Sequence, residues 1–86
     1  MSYTVRIAAA PTKYLEKLRD KSLLRRLTQS MKILGENPRP NGSVKLAGPE
    51  PVYRIRVGDY RIIYQIRESE LLILVVAIGH RREIYR

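Results

Sequence analysis

The chain has no cysteine and only one histidine in 86 residues. The first absence excludes a disulfide framework and a thiolate metal site. The second argues against a zinc or other transition-metal centre, so no metal or other cofactor is expected. The apolar run Leu71 to Ile78 is far too short to cross a bilayer. The N-terminus lacks a basic segment followed by a long apolar stretch, so no signal peptide is expected. A cysteine-free chain suits a reducing cytosol, and a cytoplasmic protein is the expectation. Acidic residues are also few, 8 against 17 lysines and arginines, which leaves a net charge of +9.

What is present reads as one folded domain over residues 1–86. With 44% hydrophobic and 29% charged residues, the composition is globular rather than disordered. A domain this small buries a modest share of its surface, so modest stability is expected. Twelve of the cations are arginine, the side chain whose planar fork matches phosphate oxygens two at a time. Such a balance suits a partner rich in phosphates or carboxylates, or else a solvated basic surface.

Ser2 to Ala8 alternates Tyr3, Val5 and Ile7 against Thr4, Arg6 and Ala8, the pattern of a half-buried strand. Pro11 and Thr12 open a helix whose stripe is Tyr14, Leu15 and Leu18, ending near Asp20. A second helix carries Leu23, Leu24, Leu27, Met31 and Leu34 at helical spacing, with Gly35 and then Pro38 as its stop. Asn37 to Pro51 holds four prolines and two glycines and reads as a loop, with a short extended piece at Val44 to Leu46. Three strands follow as a meander. The expected class is α+β: an N-terminal strand, a two-helix hairpin and a three-stranded antiparallel meander, with the helices on one sheet face.

The chemistry concentrates between Val52 and Arg86. Gly58-Asp59 between two strand-like runs predicts a two-residue hairpin in which Val57 faces Tyr60, Arg56 faces Arg61, Ile55 faces Ile62 and Tyr53 faces Tyr64. One face then carries Tyr53, Ile55, Val57, Tyr60, Ile62, Tyr64 and Ile66 and should receive the helices. The other carries Arg54, Arg56, Arg61, Ile63, Gln65 and Arg67. Like charges directly across two strands destabilise by up to about 1 kcal/mol. Arg56 and Arg61 either splay into water or form a clamp that becomes favourable when an anion arrives. Leu71 to Ile78 reads as a central strand covered on both sides. Strict alternation beyond it places His80 on the arginine face and Arg81 on the other, unless Gly79 marks a bulge or the strand end.

Three stretches together resemble the RelE/ParE superfamily of toxins from bacterial and archaeal type II toxin–antitoxin modules. They are Lys45-Leu46-Ala47-Gly48, then Tyr53-Arg54-Ile55-Arg56-Val57-Gly58-Asp59-Tyr60-Arg61-Ile62-Ile63-Tyr64, then Gly79-His80-Arg81-Arg82-Glu83-Ile84-Tyr85. The likeness extends over essentially the whole chain, and the basic positions favour the RelE branch. It implies a ribosome-dependent endoribonuclease that enters the A site, cuts mRNA by attack of a ribose 2′-hydroxyl on the adjacent phosphodiester, and so inhibits translation. By position, Arg54, Arg56, Arg61, Arg81 and Tyr85 correspond to the family's functional residues. Lys45, Arg82 and Arg86 are expected RNA contacts, the last two salt-dependent contacts to ribosomal RNA.

Arginines stay protonated and make poor bases, a departure from relatives with lysine on the second strand. His80 is the one side chain whose ordinary pKa lies near neutrality, and is the candidate general base or acid. Tyr85 is the alternative proton donor, a stacking platform for a base, or a residue packing the sheet edge. The resemblance also implies a cognate antitoxin with an acidic, partly disordered segment. Two other readings stay open: a ParE-like toxin that poisons DNA gyrase, and a basic module that binds RNA or antitoxin without catalysis. The sequence ends one residue after Tyr85, where some relatives continue into a further helix.

Overall fold

The structure, a computed structural model, describes residues 2–84. Strand β1 is Thr4–Ile7, followed by helices α1, Ala9–Lys17, and α2, Lys21–Glu36. Strands β2, Val44–Lys45, β3, Val52–Val57, β4, Tyr60–Arg67, and β5, Leu72–His80, come next, and a short helix α3, Arg81–Ile84, follows β5. The five strands form one sheet in the order β1-β5-β4-β3-β2. The meander β3-β4-β5 is antiparallel as expected. β1 adds a parallel edge beside β5, and two-residue β2 covers part of β3.

Burial of α2 against one sheet face makes the core. Leu23, Leu27, Met31 and Leu34 recur at three- and four-residue intervals, so they share one stripe of the helix. That stripe meets Ile55, Val57, Ile62, Tyr64, Ile66, Ile73, Val75 and Ile78. Asp20 caps α2, its carboxylate accepting the backbone N–H of Leu23 at 3.1 Å. Tyr64 is fully buried, and its hydroxyl donates to the carbonyl of Pro38 at 2.7 Å, anchoring the proline-rich loop to the sheet.

Several local expectations are corrected. α1 ends at Lys17, where Leu18 turns extended, rather than near Asp20. Gly35 is not the stop of α2; the helix runs through it to Glu36. Gly35 is a point of close approach instead. A Cβ there would stand 3.0 Å from the carbonyl oxygen of Tyr3, while the carbonyl of Gly35 accepts the N–H of Tyr3 at 2.7 Å. The glycine thus lets α2 press against β1. β5 is covered unevenly: Ile73, Val75 and Ile78 are buried against the core and Leu72 is buried on the other face, while Leu74, Val76 and Ala77 are half-buried.

The largest correction concerns the phase of β5. Ile63 pairs with Ala77 but Tyr64 pairs with Val75, so Val76 is an extra residue, a β-bulge. One inserted residue reverses the side-chain alternation beyond it. Ile78 turns into the core opposite Ile62, Gly79 lies opposite Arg61, and His80 lies opposite Tyr60. His80 therefore stands on the face of Tyr60, not on the arginine face.

Candidate nucleic-acid interface

The face of the sheet turned away from α2 carries the arginines in rows. Cross-strand partners share a face, so the register places Arg56, Arg61 and Gly79 abreast. The next row is Val44, Arg54, Ile63 and Ala77, and the one after it Val52, Gln65, Leu74 and Arg6. The Arg56–Arg61 and Tyr53–Tyr64 pairings are those expected from the Gly58-Asp59 hairpin. Gly58 has φ +62°, and the other described residues with a positive φ are Leu71, Gly42 and Gly48, so Asp59 has a negative φ, which is the glycine-first form of a two-residue loop.

The three strand arginines differ in exposure. Arg56 is exposed and Arg54 half-buried, whereas Arg61 is only 7% exposed. Gly79 has no side chain to stand beside Arg61, and both residues are buried. Arg56 and Arg61 set an exposed and a buried guanidinium side by side, charges of the kind that bind phosphate oxygens.

α3 brings further cations to the hairpin end of the sheet. The backbone N–H of Arg81 donates to the carbonyl of Asp59 at 2.9 Å, fastening the start of α3 to the hairpin loop. Arg81 and Arg82 are both exposed. His80 packs edge-on against Tyr60, with ring centroids 5.3 Å apart. Tyr14 of α1 donates its hydroxyl to Glu83 at 3.4 Å, and its pKa is pushed up to about 12, by burial first and by Glu83 second.

Lys45 does not join this group. Its partner is Tyr53, so it lies on the opposite face from Arg54, and its Nζ donates to the carbonyl of Gly48 at 3.2 Å. Tyr85 and Arg86 lie outside the described residues. Arg26 of α2 was not among the expected site residues, yet its Nη2 lies where a Cβ on Gly58 would be 2.9 Å away. By helical spacing Arg26 falls between the apolar positions of α2, and nothing local ties it to the hairpin. Among the described residues no group of three or more histidines, cysteines or carboxylates could hold a metal ion, and no helix is long and apolar enough to cross a membrane.

Residues 5–85 match a family model described as the ParE toxin of type II toxin–antitoxin system, parDE. The chain belongs to this toxin family. A RelE-like toxin protein of Escherichia coli is 34% identical over 83 residues, covering 94% of this chain and 85% of the relative. Toxin RelG of Mycobacterium tuberculosis is 29% identical over 89 residues, covering 100% of this chain and 99% of the relative. The crystal structure of the archaeal RelE–RelB complex from Pyrococcus horikoshii superposes with a TM-score of 0.81 at 31% identity, covering 94% of this chain and 97% of that one.

The ParE-family chain is thus a type II toxin of the RelE kind by its relatives. Its arginine face is the one turned away from α2. A second cluster, Arg39, Tyr53, Glu68 and Tyr3, lies elsewhere. Arg39 donates to the Tyr53 hydroxyl at 3.2 Å and to Glu68 at 3.4 Å, while Tyr3 donates to Glu68 at 3.2 Å. These exposed contacts tie the loop after α2 to the β4–β5 turn of the toxin and contribute little energy each.

Proposed function

We propose that this toxin is a ribosome-dependent endoribonuclease that cuts mRNA in the A site, the attacking group being a ribose 2′-hydroxyl. The observation that carries this reading is the row Arg56, Arg61 and Gly79: two adjacent guanidiniums, one buried, beside a position without a side chain. Arg56 and Arg61 hold the scissile phosphate, and Arg81 meets the charge that develops on its oxygens. Arg54 aligns the chain of phosphates, and Arg82 and Arg86 add salt-dependent grip. Arginine supplies no base at neutral pH. Proton transfer falls to Tyr85, on the family resemblance, since the bulge at Val76 takes His80 to the other face. The ribosome supplies in-line geometry that so small a site does not.

A cognate antitoxin is the proposed partner. The Pyrococcus relative was solved as a RelE–RelB complex, and the arginine face offers cations beside the half-buried apolar side chains of Ile63 and Leu74. An acidic segment with apolar residues fits both halves.

Mapping RNA ends after adding the protein to programmed ribosomes tests the activity. Cuts confined to the A-site codon, absent with naked mRNA and with folded Arg61→Ala, are expected. Intact mRNA alongside folded wild-type protein would refute the proposal. The family model's description names ParE, so a supercoiling assay with gyrase is the companion measurement.

A further inference from the structure

His80 ends β5 and is the residue that caps α3. Its Nδ1 accepts the backbone N–H of Arg82 at 3.2 Å, and the carboxylate of Glu83 accepts the backbone N–H of His80 at 2.9 Å. The two bonds are reciprocal, as in a capping box, with histidine where serine or threonine is usual. A nitrogen that accepts carries no proton, so this geometry is the one made by an imidazole with its hydrogen on Nε2.

The surroundings fix that ring. Tyr60 of β4 meets it edge-on, Tyr14 of α1 holds Glu83 from the other side, and Asp59 of the hairpin loop holds the N–H of Arg81. We infer that His80 is a positioning residue: as a neutral imidazole it holds the turn bearing Arg81 and Arg82 against the β3–β4 hairpin, and protonation at Nδ1 releases that turn.

The proton converts the acceptor into a donor that faces another donor, the Arg82 N–H. Among the described residues, the titratable and charged groups that these contacts bring to the ring are Tyr60, Tyr14, Glu83, Asp59, Arg81 and Arg82. The arginines keep their charge at every working pH, and Tyr14 stays neutral far above neutrality. Histidine is the side-chain type that changes charge in the intervening range. Any effect on RNA cutting rests on the proposed role of Arg81; the titration of the turn does not.

The protein has one histidine, so its imidazole resonances need no assignment by mutation. Isotope-labelled full-length protein is titrated from about pH 8 to about pH 5.5, a range that spans ordinary histidine protonation. Expected at the alkaline end is the Nε2–H tautomer. As the imidazole protonates, the Arg82 amide should shift in step and lose about five-fold in exchange protection, relative to the intrinsic rate at each pH, the effect of one lost cap. His80→Asn supplies a short acceptor that does not titrate, and should keep the Arg82 amide unchanged across the range. An Nδ1–H tautomer at the alkaline end, an Arg82 amide indifferent to the titration, or the same pH response in His80→Asn would each overturn the inference. If cutting occurs, its acid limb should flatten in His80→Asn. Absence of any cutting with the Arg82 response intact would remove the proposed function and leave the cap in place.

Discussion

Arg56→Thr should make this protein more stable and less active, and the two effects share one cause. Arg56 and Arg61 are direct cross-strand partners, and like charges so placed destabilise by roughly 0.2–1 kcal/mol. Arg61 is 7% exposed, so water screens its charge poorly and the upper half of that range applies, about 0.5–1 kcal/mol. At about 2.1 cal/mol/K per residue, unfolding of a chain this size carries an entropy near 0.18 kcal/mol/K, so Tm should rise by about 3–6 °C. Threonine also favours strands, which calls for a control. Arg6→Thr makes the same exchange on the same face, but Arg6 lies beside Leu74 rather than another cation. Thermal unfolding of both variants followed by circular dichroism separates the terms. The excess gain of Arg56→Thr over Arg6→Thr should shrink toward zero at about 1 M salt, where the screening length falls to about 3 Å. A loss of stability in Arg56→Thr, or a gain equal to that of Arg6→Thr at low salt, would refute the argument that this pair is kept at a cost.

Three further outcomes follow from the packing. Tyr64→Phe removes the donor to the Pro38 carbonyl and should cost about 1–2 kcal/mol, read as a lower urea midpoint with unchanged slope. Burial raises Tyr64 and Tyr14 from 10 to about 12; a raised phenol pKa means the folded state keeps a proton that the unfolded state loses. Stability from these groups is therefore present below about pH 10 and lost as pH rises toward 12, by roughly 2 kcal/mol for Tyr64 and less for Tyr14. Tyrosinate absorbance during an alkaline titration should show late-ionising phenols whose appearance coincides with unfolding, and simultaneous ionisation of all the tyrosines in still-folded protein would count against it. Gly58→Ala forces a side chain into φ +62° with a Cβ 2.9 Å from the Arg26 guanidinium. The guanidinium moves easily but the backbone does not, so a loss of about 1 kcal/mol in a urea titration is expected.

The parts of this fold that could be read from sequence are those governed by local rules. The helical spacing of Leu23, Leu27, Met31 and Leu34 located the core stripe, and the Gly58-Asp59 pair fixed the β3–β4 register to the residue. What escaped depends on distant partners. β1 pairs with β5, Thr4 beside Leu72, and nothing within Ser2 to Ala8 names that neighbour or its parallel sense. Gly35 reads as a helix stop on local grounds, yet its position is set by contact with Tyr3 from the far end of the chain. The face of Lys45 could not be read because a two-residue strand carries no alternation from which to assign one. The bulge at Val76 was hidden inside LLILVVAI, a run apolar at every position, where alternation has no polar residue to betray a change of phase.

That bulge links the scaffold to the site. Without it, Ile78 would point toward the arginine face and Gly79 toward α2, wasting an apolar side chain and leaving a gap in the core. With it, Ile78 is 7% exposed and packs in the core, while the residue with no side chain falls opposite Arg61. The same one-residue shift removes His80 from the arginines and sets it against Tyr60, where its ring caps α3 and its neighbour Arg81 is tied to Asp59. The bulge at Val76 thus completes the core, sets a glycine beside a buried guanidinium and directs the next cation to the hairpin end of the sheet. Pairing Val76 in line with Ile63, rather than bulging it out of the ladder, would reverse all three together, which is why the core and the arginine face of this toxin are one structural problem rather than two.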